Sequence, residues 1–155
     1  MFYSNVSSPL GPLLLTSDGT SLTGLRMAGQ GILHPGEARR ELPVFRAAEA
    51  WLDDYFAGRC RDVDFPLEPL GTDFQKRVWQ LLLTIPYGKT TTYGNLAKTL
   101  GPGMSAQAVG QAVGKNPLAV LIPCHRVVGA RGQLTGYAWG LENKEWLLRH
   151  EEETK

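Results

Sequence analysis

Apolar and polar residues alternate loosely over Phe2–Val6, as is typical of a strand. Strands are predicted there and at 13–16 and Leu22–Met27, and Asp18-Gly19 is a strong hairpin-turn signal between the last two. A loop is expected at 30–36. The chain is therefore predicted to begin with a small β-sheet.

A helical period replaces this pattern over residues 44–56, and Gly58 follows as a stop signal. The apolar positions of this predicted helix are Phe45, Ala48, Trp51, Leu52, Tyr55 and Phe56. Residues 59–70, which include Pro66 and Pro69, form the expected linker to the rest of the chain. Residues 1–70 are therefore predicted to be a small lobe of one sheet and one helix.

The remainder of the chain is predicted to be mostly helical. Thr72 and Gln75 fit a capping box, and apolar residues continue at helical spacing from there until Pro86. A second helix at 93–100 and a third at 105–115 are joined by a turn that contains glycine. Two short helices joined in this way are a candidate helix-turn-helix.

The third helix has two different faces. The face expected to pack inward carries Ala106, Val109, Ala112 and Val113, and the opposite face carries Gln107, Gly110, Gln111 and Gly114. Glycine costs about 1 kcal/mol relative to alanine inside a helix, so two glycines on one exposed face need a reason. Two reasons are equally compatible with the sequence. One is close approach of the helix backbone to a ligand such as a DNA groove, and the other is tight packing against a neighbouring element.

The apolar run 118–122 is expected to be a buried strand that leads directly to Cys124. Residues 129–140 form a glycine-rich loop, and a last helix is predicted at 141–152. Glu151 falls on the inward edge of that helix, where a carboxylate needs a partner.

The composition of the 155 residues, 43% hydrophobic and 20% charged, is that of an ordinary soluble globular protein. The longest apolar runs are too short to span a bilayer, so a cytoplasmic location without a membrane partner is expected. Charge separates along the chain: residues 1–70 carry six basic and nine acidic residues, and residues 71–150 carry nine basic and three acidic ones. This split favours a polyanionic partner for the second part, although many basic faces are merely solvated.

The two cysteines, Cys60 and Cys124, lie in different contexts, and a cytosolic setting argues against a disulfide between them. Cys124 follows a proline and precedes His125 and Arg126, two groups able to favour the nucleophilic thiolate. The alternative is an inert buried cysteine beside a surface His-Arg pair.

The run NPLAVLIPCHRVVG at 116–129 closely resembles the active-site signature of the O6-alkylguanine-DNA alkyltransferases. Further matching motifs are IPYG at 85–88, TY at 92–93, AVG at 108–110, TGY at 135–137 and KEWLLRHE at 144–151. The resemblance covers all of 71–151 and, more loosely, 9–12 and 51–58. It implies an α/β (α+β) fold, with a ribonuclease H-like lobe at 1–70 and an alkyltransferase domain at 71–155 that contains a winged helix-turn-helix-like motif.

The activity implied by the resemblance is direct DNA repair, in which an alkyl group moves irreversibly and once per molecule from O6-alkylguanine to the protein. Activity on O4-methylthymine stays open. The resemblance implies that Cys124 accepts the alkyl group, that His125 deprotonates the Cys124 thiol through a water, and that Glu151 orients the histidine. Asn116 braces the turn that presents the cysteine, and Tyr93 helps to rotate the nucleotide. No cofactor is expected.

The implied partner is double-stranded DNA containing alkylated guanine, bound through the minor groove by a monomer with little sequence specificity. The nucleotide must be flipped out because its O6 atom is hidden in the duplex. DNA contacts are expected from Thr92, Ala106, Gln107, Ala108, Gly110, Gln111, Gly114 and Arg126. The guanine pocket is expected to use the carbonyl of Val127, the amides of Tyr137 and Ala138, and Trp139.

Three comparisons with relatives, at Gln107, at Trp139 and at the pair Cys60 and His34, decide how far the resemblance carries. Gln107 stands where many relatives have an arginine that fills the gap left by the flipped nucleotide. Trp139 stands where many have glycine, so a pocket narrowed toward methyl groups is expected. Some relatives bind zinc in the first segment, but Cys60 and His34 are isolated, and no metal is expected here.

Three other functions are compatible with parts of the pattern. A DNA-binding module could recognise alkylguanine without repairing it, although relatives of that kind lack the reactive cysteine. A helix-turn-helix regulator would bind one palindromic sequence as a dimer. A cysteine hydrolase would turn over repeatedly through an acyl intermediate.

Overall fold

The computed structural model describes residues 1–27 and 38–155, so the expected loop at 30–36, including His34, lies outside the described residues. The chain divides into two compact units, Met1–Leu70 and Gly71–Lys155. The mixed α+β class predicted from the sequence is confirmed. None of the helices in the described ranges has the length and apolar character needed to cross a membrane.

The first unit contains a four-stranded sheet in the order β3-β2-β1-β4, where β1 is Phe2–Val6, β2 is Leu13–Ser17, β3 is Leu22–Met27 and β4 is Ala38–Arg39. The strands β1, β2 and β3 are antiparallel neighbours, and β4 runs parallel to β1. The predicted hairpin is present between β2 and β3, where the Asp18 carboxylate accepts hydrogen bonds from two backbone amides of the turn.

Helix α1, Pro43–Phe56, contacts β2 and β3 through a buried apolar face. The expected linker is not wholly irregular, because part of it pairs with the sheet edge. The amide of Leu22 donates to the Pro66 carbonyl, and the amide of Glu68 donates to the Leu22 carbonyl. Proline fits this edge since it has no amide of its own to pair.

The second unit consists of α2 (Asp73–Leu82), β5 (Thr91–Thr92), α3 (Tyr93–Leu100), α4 (Ala106–Gly114), β6 (Val127–Val128) and α5 (Leu141–Thr154). The predicted capping box is present, with reciprocal hydrogen bonds between Thr72 and Gln75. Trp79 of α2 is buried and donates from Nε1 to the Ala112 carbonyl of α4 at 2.8 Å. The helices α3 and α4 are in direct contact, as a helix-turn-helix requires.

Two local predictions are wrong. Residues 118–122 are buried as expected, but they form a compact turn in which the Ile122 amide donates to the Leu118 carbonyl and Val120 has a φ of 70°. An apolar run this short cannot distinguish a buried strand from a buried turn. Ala106, which was predicted to pack inward, is exposed. It lies in the first turn of α4, and the buried residues of this helix, Val109, Ala112 and Val113, all follow it.

Candidate active site

Cys124 lies on a short 3-10 turn, Cys124–Arg126, directly after the buried turn 118–122. Asn116 braces this approach from both sides: its Nδ2 donates to the Ile122 carbonyl at 2.8 Å, and its Oδ1 accepts from the Leu118 amide at 3.0 Å. Cys124 is only 7% exposed. Asn116 therefore fixes the backbone that presents the buried sulfur.

His125 is buried next to Cys124 and faces α5. Its Nε2 lies 2.5 Å from Oε2 of Glu151, which is the partner that the inward-facing carboxylate requires. Its Nδ1 is buried and has no hydrogen-bond partner among the described residues. Burial lowers the pKa of His125, and Glu151 offsets only part of that effect. The imidazole is therefore neutral at neutral pH, with one ring nitrogen available to accept a proton.

Arg126 occupies the other side of Glu151 and is itself buried. Its Nε and one terminal nitrogen donate to the two oxygens of Glu151 at 2.8 and 3.1 Å, and the other terminal nitrogen donates to the Ile85 carbonyl at 2.7 Å. Burial alone would raise the pKa of Glu151, but the hydrogen bonds and charges of His125 and Arg126 lower it to about 2. Glu151 is thus a fixed anion in this site.

This placement corrects the expectation that Arg126 contacts DNA. Its guanidinium is buried and bonded to Glu151 and to a backbone carbonyl, so a phosphate could be reached only by breaking a buried ion pair. Arg126 instead holds the carboxylate that orients His125.

Burial raises the pKa of the Cys124 thiol, and the side chains of Asn116, Lys144 and Tyr137 oppose that rise. The Tyr137 hydroxyl is buried near the thiol, and burial raises its pKa well above 10, so this phenol stays protonated.

A cavity of about 550 Å³ shares Tyr137 with the surroundings of the thiol. Its walls are formed by Tyr93, Ala106, Gln107, Gly110, Gly114 and the loop 135–138. Tyr93 and Thr135 join two of these walls through a 2.6 Å hydrogen bond between their hydroxyls. The structure therefore brings together, around one opening, residues expected to contact DNA and residues expected to hold guanine.

The remaining predicted residues do not line this cavity. Thr92 caps α3 by accepting a hydrogen bond from the Asn95 amide. Gln111 is exposed on α4, and Ala108 is half-buried. Trp139 is 5% exposed, with its ring centroid 6.3 Å from that of Tyr137. The Val127 carbonyl accepts a hydrogen bond from Lys144 at 2.7 Å.

The two glycines on the outer face of α4 are not required by tight packing. A β-carbon at Gly114 would meet no described atom within 4 Å, and one at Gly110 would make ordinary contact with the Tyr93 ring at 3.5 Å. Of the two explanations left open by the sequence, close approach of a ligand is favoured.

Sequence reasoning missed Lys144, which is 1% exposed, and the contact between Thr135 and Tyr93. A signal for Lys144 was available, because residues 144, 147 and 151 share one helix face with the same spacing that placed Glu151 inward. Within residues 1–27 and 38–155, no group of three His, Cys, Asp or Glu side chains could hold a metal ion; His34 lies outside these ranges.

Models of one protein family match nearly all of the chain. Residues 73–153 match the DNA binding domain of 6-O-methylguanine DNA methyltransferase, and residues 1–69 match the ribonuclease-like domain of the same family.

Individual proteins agree with the family models. A methylated-DNA–protein-cysteine methyltransferase from Methanosarcina acetivorans is 45% identical over 97% of this chain and 98% of its own length. The protein of that name from Mycobacterium tuberculosis is 46% identical over 96% and 91%. The crystal structure of Mycobacterium tuberculosis OGT in complex with DNA superposes with a TM-score of 0.91 at 44% identity, covering 99% of this chain and 94% of that one. An O6-methylguanine DNA methyltransferase structure from Methanococcus jannaschii gives 0.68 at 30% identity, covering 96% and 93%.

Proposed function

The chain belongs to the 6-O-methylguanine DNA methyltransferase family and repairs DNA by alkyl transfer to a cysteine; we propose that this cysteine is Cys124. The proposal rests on three buried side chains, those of Cys124, His125 and Glu151. The Nε2 atom of His125 donates a hydrogen bond to the Glu151 carboxylate, and its Nδ1 atom has no hydrogen-bond partner among the described residues. Cys60, by contrast, is exposed.

His125 acts as the base for the thiol. Because Nε2 is bound to Glu151, proton transfer uses Nδ1, through a water molecule that bridges it to the sulfur. As the imidazole gains a proton, the carboxylate of Glu151 stabilises the new positive charge. Arg126 and the Gly88 amide, which also donates to Glu151, keep the carboxylate in place.

The thiolate then attacks the alkyl carbon of O6-alkylguanine. A sulfur–carbon bond forms as the carbon–O6 bond breaks, and the electron pair of that bond leaves with the guanine. The Tyr93 hydroxyl donates a hydrogen bond to the departing base. A thioether has no ordinary hydrolytic exit, so each molecule reacts once.

The alkylated nucleotide reaches the sulfur by leaving the duplex and entering the 550 Å³ cavity. The helices α3 and α4 act as the helix-turn-helix of a winged motif, with α4 in the minor groove, where Gly110 and Gly114 allow the backbone to approach. Gln107, at the rim of the cavity, fills the space left by the flipped nucleotide. Binding by a monomer is then largely independent of sequence and sensitive to salt.

The guanine ring is held by backbone groups of the loop 135–138 and of β6. The amides of Tyr137 and Ala138 donate to the base, and the carbonyl of Val127 accepts from it. Lys144 already donates to the Val127 carbonyl, but a carbonyl oxygen has a second lone pair for the ligand. Trp139 limits the size of the alkyl group beside the base.

The decisive experiment uses duplex DNA carrying O6-methylguanine with a labelled methyl group. We expect the label on Cys124, one per protein molecule, as mapped by mass spectrometry of peptides. Cys124→Ala should abolish labelling while duplex binding survives, and the matched variant Cys60→Ser should label like the parent.

Labelling at another residue, or labelling that persists in Cys124→Ala, would contradict the assignment. A parent protein that stays folded and binds the methylated duplex without acquiring label would instead be a lesion-recognition protein.

A further inference from the structure

The hydroxyl groups of Tyr93 and Thr135 share a hydrogen bond of 2.6 Å, and both side chains line the cavity. Both residues are half-buried. Among the residues that the structure describes, neither hydroxyl has a second hydrogen-bond partner. The mechanism above uses the Tyr93 hydroxyl as a donor to the departing base and gives Thr135 no task. The group that must serve the base is thus already bonded to Thr135.

The backbone fixes the position of Tyr93 relative to the turn that carries Cys124. Tyr93 is the first residue of α3 and directly follows β5, which pairs in parallel with β6. Strand β6 itself directly follows the Cys124 turn. The Tyr93 ring lies beside α4, since a β-carbon at Gly110 would be 3.5 Å from it. The ring is therefore held in place, and the direction of its hydroxyl proton remains to be set.

Thr135 is tied to the same strand, although it lies in a loop without regular structure. Its carbonyl accepts a hydrogen bond from Nζ of Lys144 at 3.3 Å, and the same nitrogen donates to the Val127 carbonyl of β6 at 2.7 Å. Lys144 is 1% exposed, so water does not compete for these bonds. Strand β6 therefore positions both members of the hydroxyl pair, Tyr93 through β5 and Thr135 through Lys144.

The direction of the bond between the two hydroxyls matters for the reaction. A hydroxyl group has one proton to donate and two lone pairs with which to accept. If Tyr93 donated its proton to Thr135, none would remain for the guanine. If Thr135 donates instead, the phenolic oxygen accepts and keeps its own proton for the base. A hydrogen bond accepted by the phenol also polarises its O–H bond and makes it a stronger donor.

We propose that Thr135 is a positioning residue for alkyl transfer: with the alkylated guanine in the cavity, its hydroxyl donates to the Tyr93 oxygen and directs the Tyr93 proton to the departing base. No proton leaves either hydroxyl. The guanine takes the electron pair of the carbon–O6 bond, and the hydrogen bond from Tyr93 stabilises the negative charge that it gains. The inference rests on the proposed function, in which Tyr93 assists the departure of the guanine.

The test compares methyl transfer from a labelled O6-methylguanine duplex among variants of Thr135. Thr135→Val keeps the branched shape and removes the hydroxyl, whereas Thr135→Ser keeps the hydroxyl. We expect Thr135→Val to slow transfer at saturating duplex about tenfold, as loss of one hydrogen bond does, without a change in the dissociation constant of the duplex. Thr135→Ser should restore most of the parent rate. The matched control Thr84→Val removes an exposed hydroxyl that donates to the Leu81 carbonyl at 2.6 Å, and it should react like the parent.

A double-mutant cycle tests whether Thr135 acts through the phenol. Tyr93→Phe should slow transfer, and adding Thr135→Val to it should cause no further loss, because the hydroxyl that Thr135 directs is gone. The same fold loss from Thr135→Val with and without the phenol would overturn the proposal, since Thr135 would then act by another route. The cycle is repeated with Thr135→Ala, which puts no group in place of the hydroxyl and should behave like Thr135→Val.

The free nucleoside of O6-methylguanine separates the chemistry from extrusion of the nucleotide. The loss in Thr135→Val should persist with this nucleoside, and a loss confined to duplex DNA would assign Thr135 to flipping and refute the proposal. If Thr135→Val reacts as fast as a parent that labels on Cys124, this inference alone is overturned. A parent that stays folded without acquiring label would remove the proposed function, and this inference with it.

Discussion

The Nε2 atom of His125 lies 2.5 Å from Oε2 of Glu151, and both side chains are buried. Since Glu151 is ionised, with a pKa of about 2, its oxygens only accept hydrogen bonds. The proton of the neutral imidazole therefore lies on Nε2, which leaves Nδ1 able to accept one. This contact selects the tautomer that the proposed base needs.

The same contact predicts how stability depends on pH. The folded state lowers the pKa of His125 below its ordinary value of 6.5 and that of Glu151 from 4.5 to about 2. The unfolded chain then binds more protons than the folded one, so both contributions are complete above pH 6.5 and are lost on acidification. His125 acts first, as the pH falls below 6.5, and Glu151 acts between about 4.5 and 2, where its shift corresponds to about 3 kcal/mol.

Urea unfolding at a series of pH values checks this prediction, with Glu151→Gln for comparison. The variant should be less stable at neutral pH because Arg126 loses its counter-ion, and its stability should fall less than that of the parent between pH 4.5 and 2. A parent protein whose free energy of unfolding stays constant from pH 6.5 to 3 would contradict it.

Much of the second unit could be predicted because its signals are local. The capping residues Thr72 and Ser105 and the apolar spacing of α3 and α5 depend only on neighbours along the chain. The wheel of α5 placed Glu151 inward and required a partner, and the structure supplies His125, Arg126 and the Gly88 amide.

The errors arose where side chains meet across the fold. The sequence shows that Arg126 is charged. It does not show that Arg126 forms an ion pair with Glu151, 25 positions away. Lys144 and the Val127 carbonyl are brought together only by the turn of the chain between β6 and α5. The turn at 118–122 depends on bonds to the Asn116 side chain, which an apolar run cannot indicate.

The open space around Gly114 predicts opposite effects of one substitution. Gly114→Ala should raise stability by up to about 1 kcal/mol, because alanine favours the helix and its β-carbon meets no described atom. The same methyl group should weaken duplex binding, since it stands on the face that approaches DNA. Thermal unfolding and fluorescence anisotropy with a labelled duplex measure the two effects, and unchanged or tighter binding would remove this face from the interface.

Gln107 offers a test of how the flipped nucleotide is replaced. Gln107→Arg should speed methyl transfer. Because it adds one cation at the cavity, it should also steepen the plot of the logarithm of the duplex binding constant against the logarithm of salt concentration by about one unit. Gln111→Arg is the matched control, as it adds the same charge to the same helix one turn further on. It should steepen the salt dependence without changing the transfer rate at saturating DNA. Equal rates for the two arginine variants would show that charge alone matters, not insertion at position 107.

We expect Trp139 to limit which alkyl groups fit. Its buried ring lies beside Tyr137, whose hydroxyl is close to the thiol, so we expect the indole to occupy volume that a larger group would need. Trp139→Gly should raise the transfer rate for O6-benzylguanine relative to O6-methylguanine by about tenfold. Removing a buried tryptophan also costs about 3 to 5 kcal/mol of stability, so the ratio of the two rates must be taken within one variant, at a temperature where it is folded. Trp139→Phe, which keeps most of the bulk, should change that ratio much less, and an unaltered ratio in the glycine variant would show that the indole does not limit the size of the alkyl group.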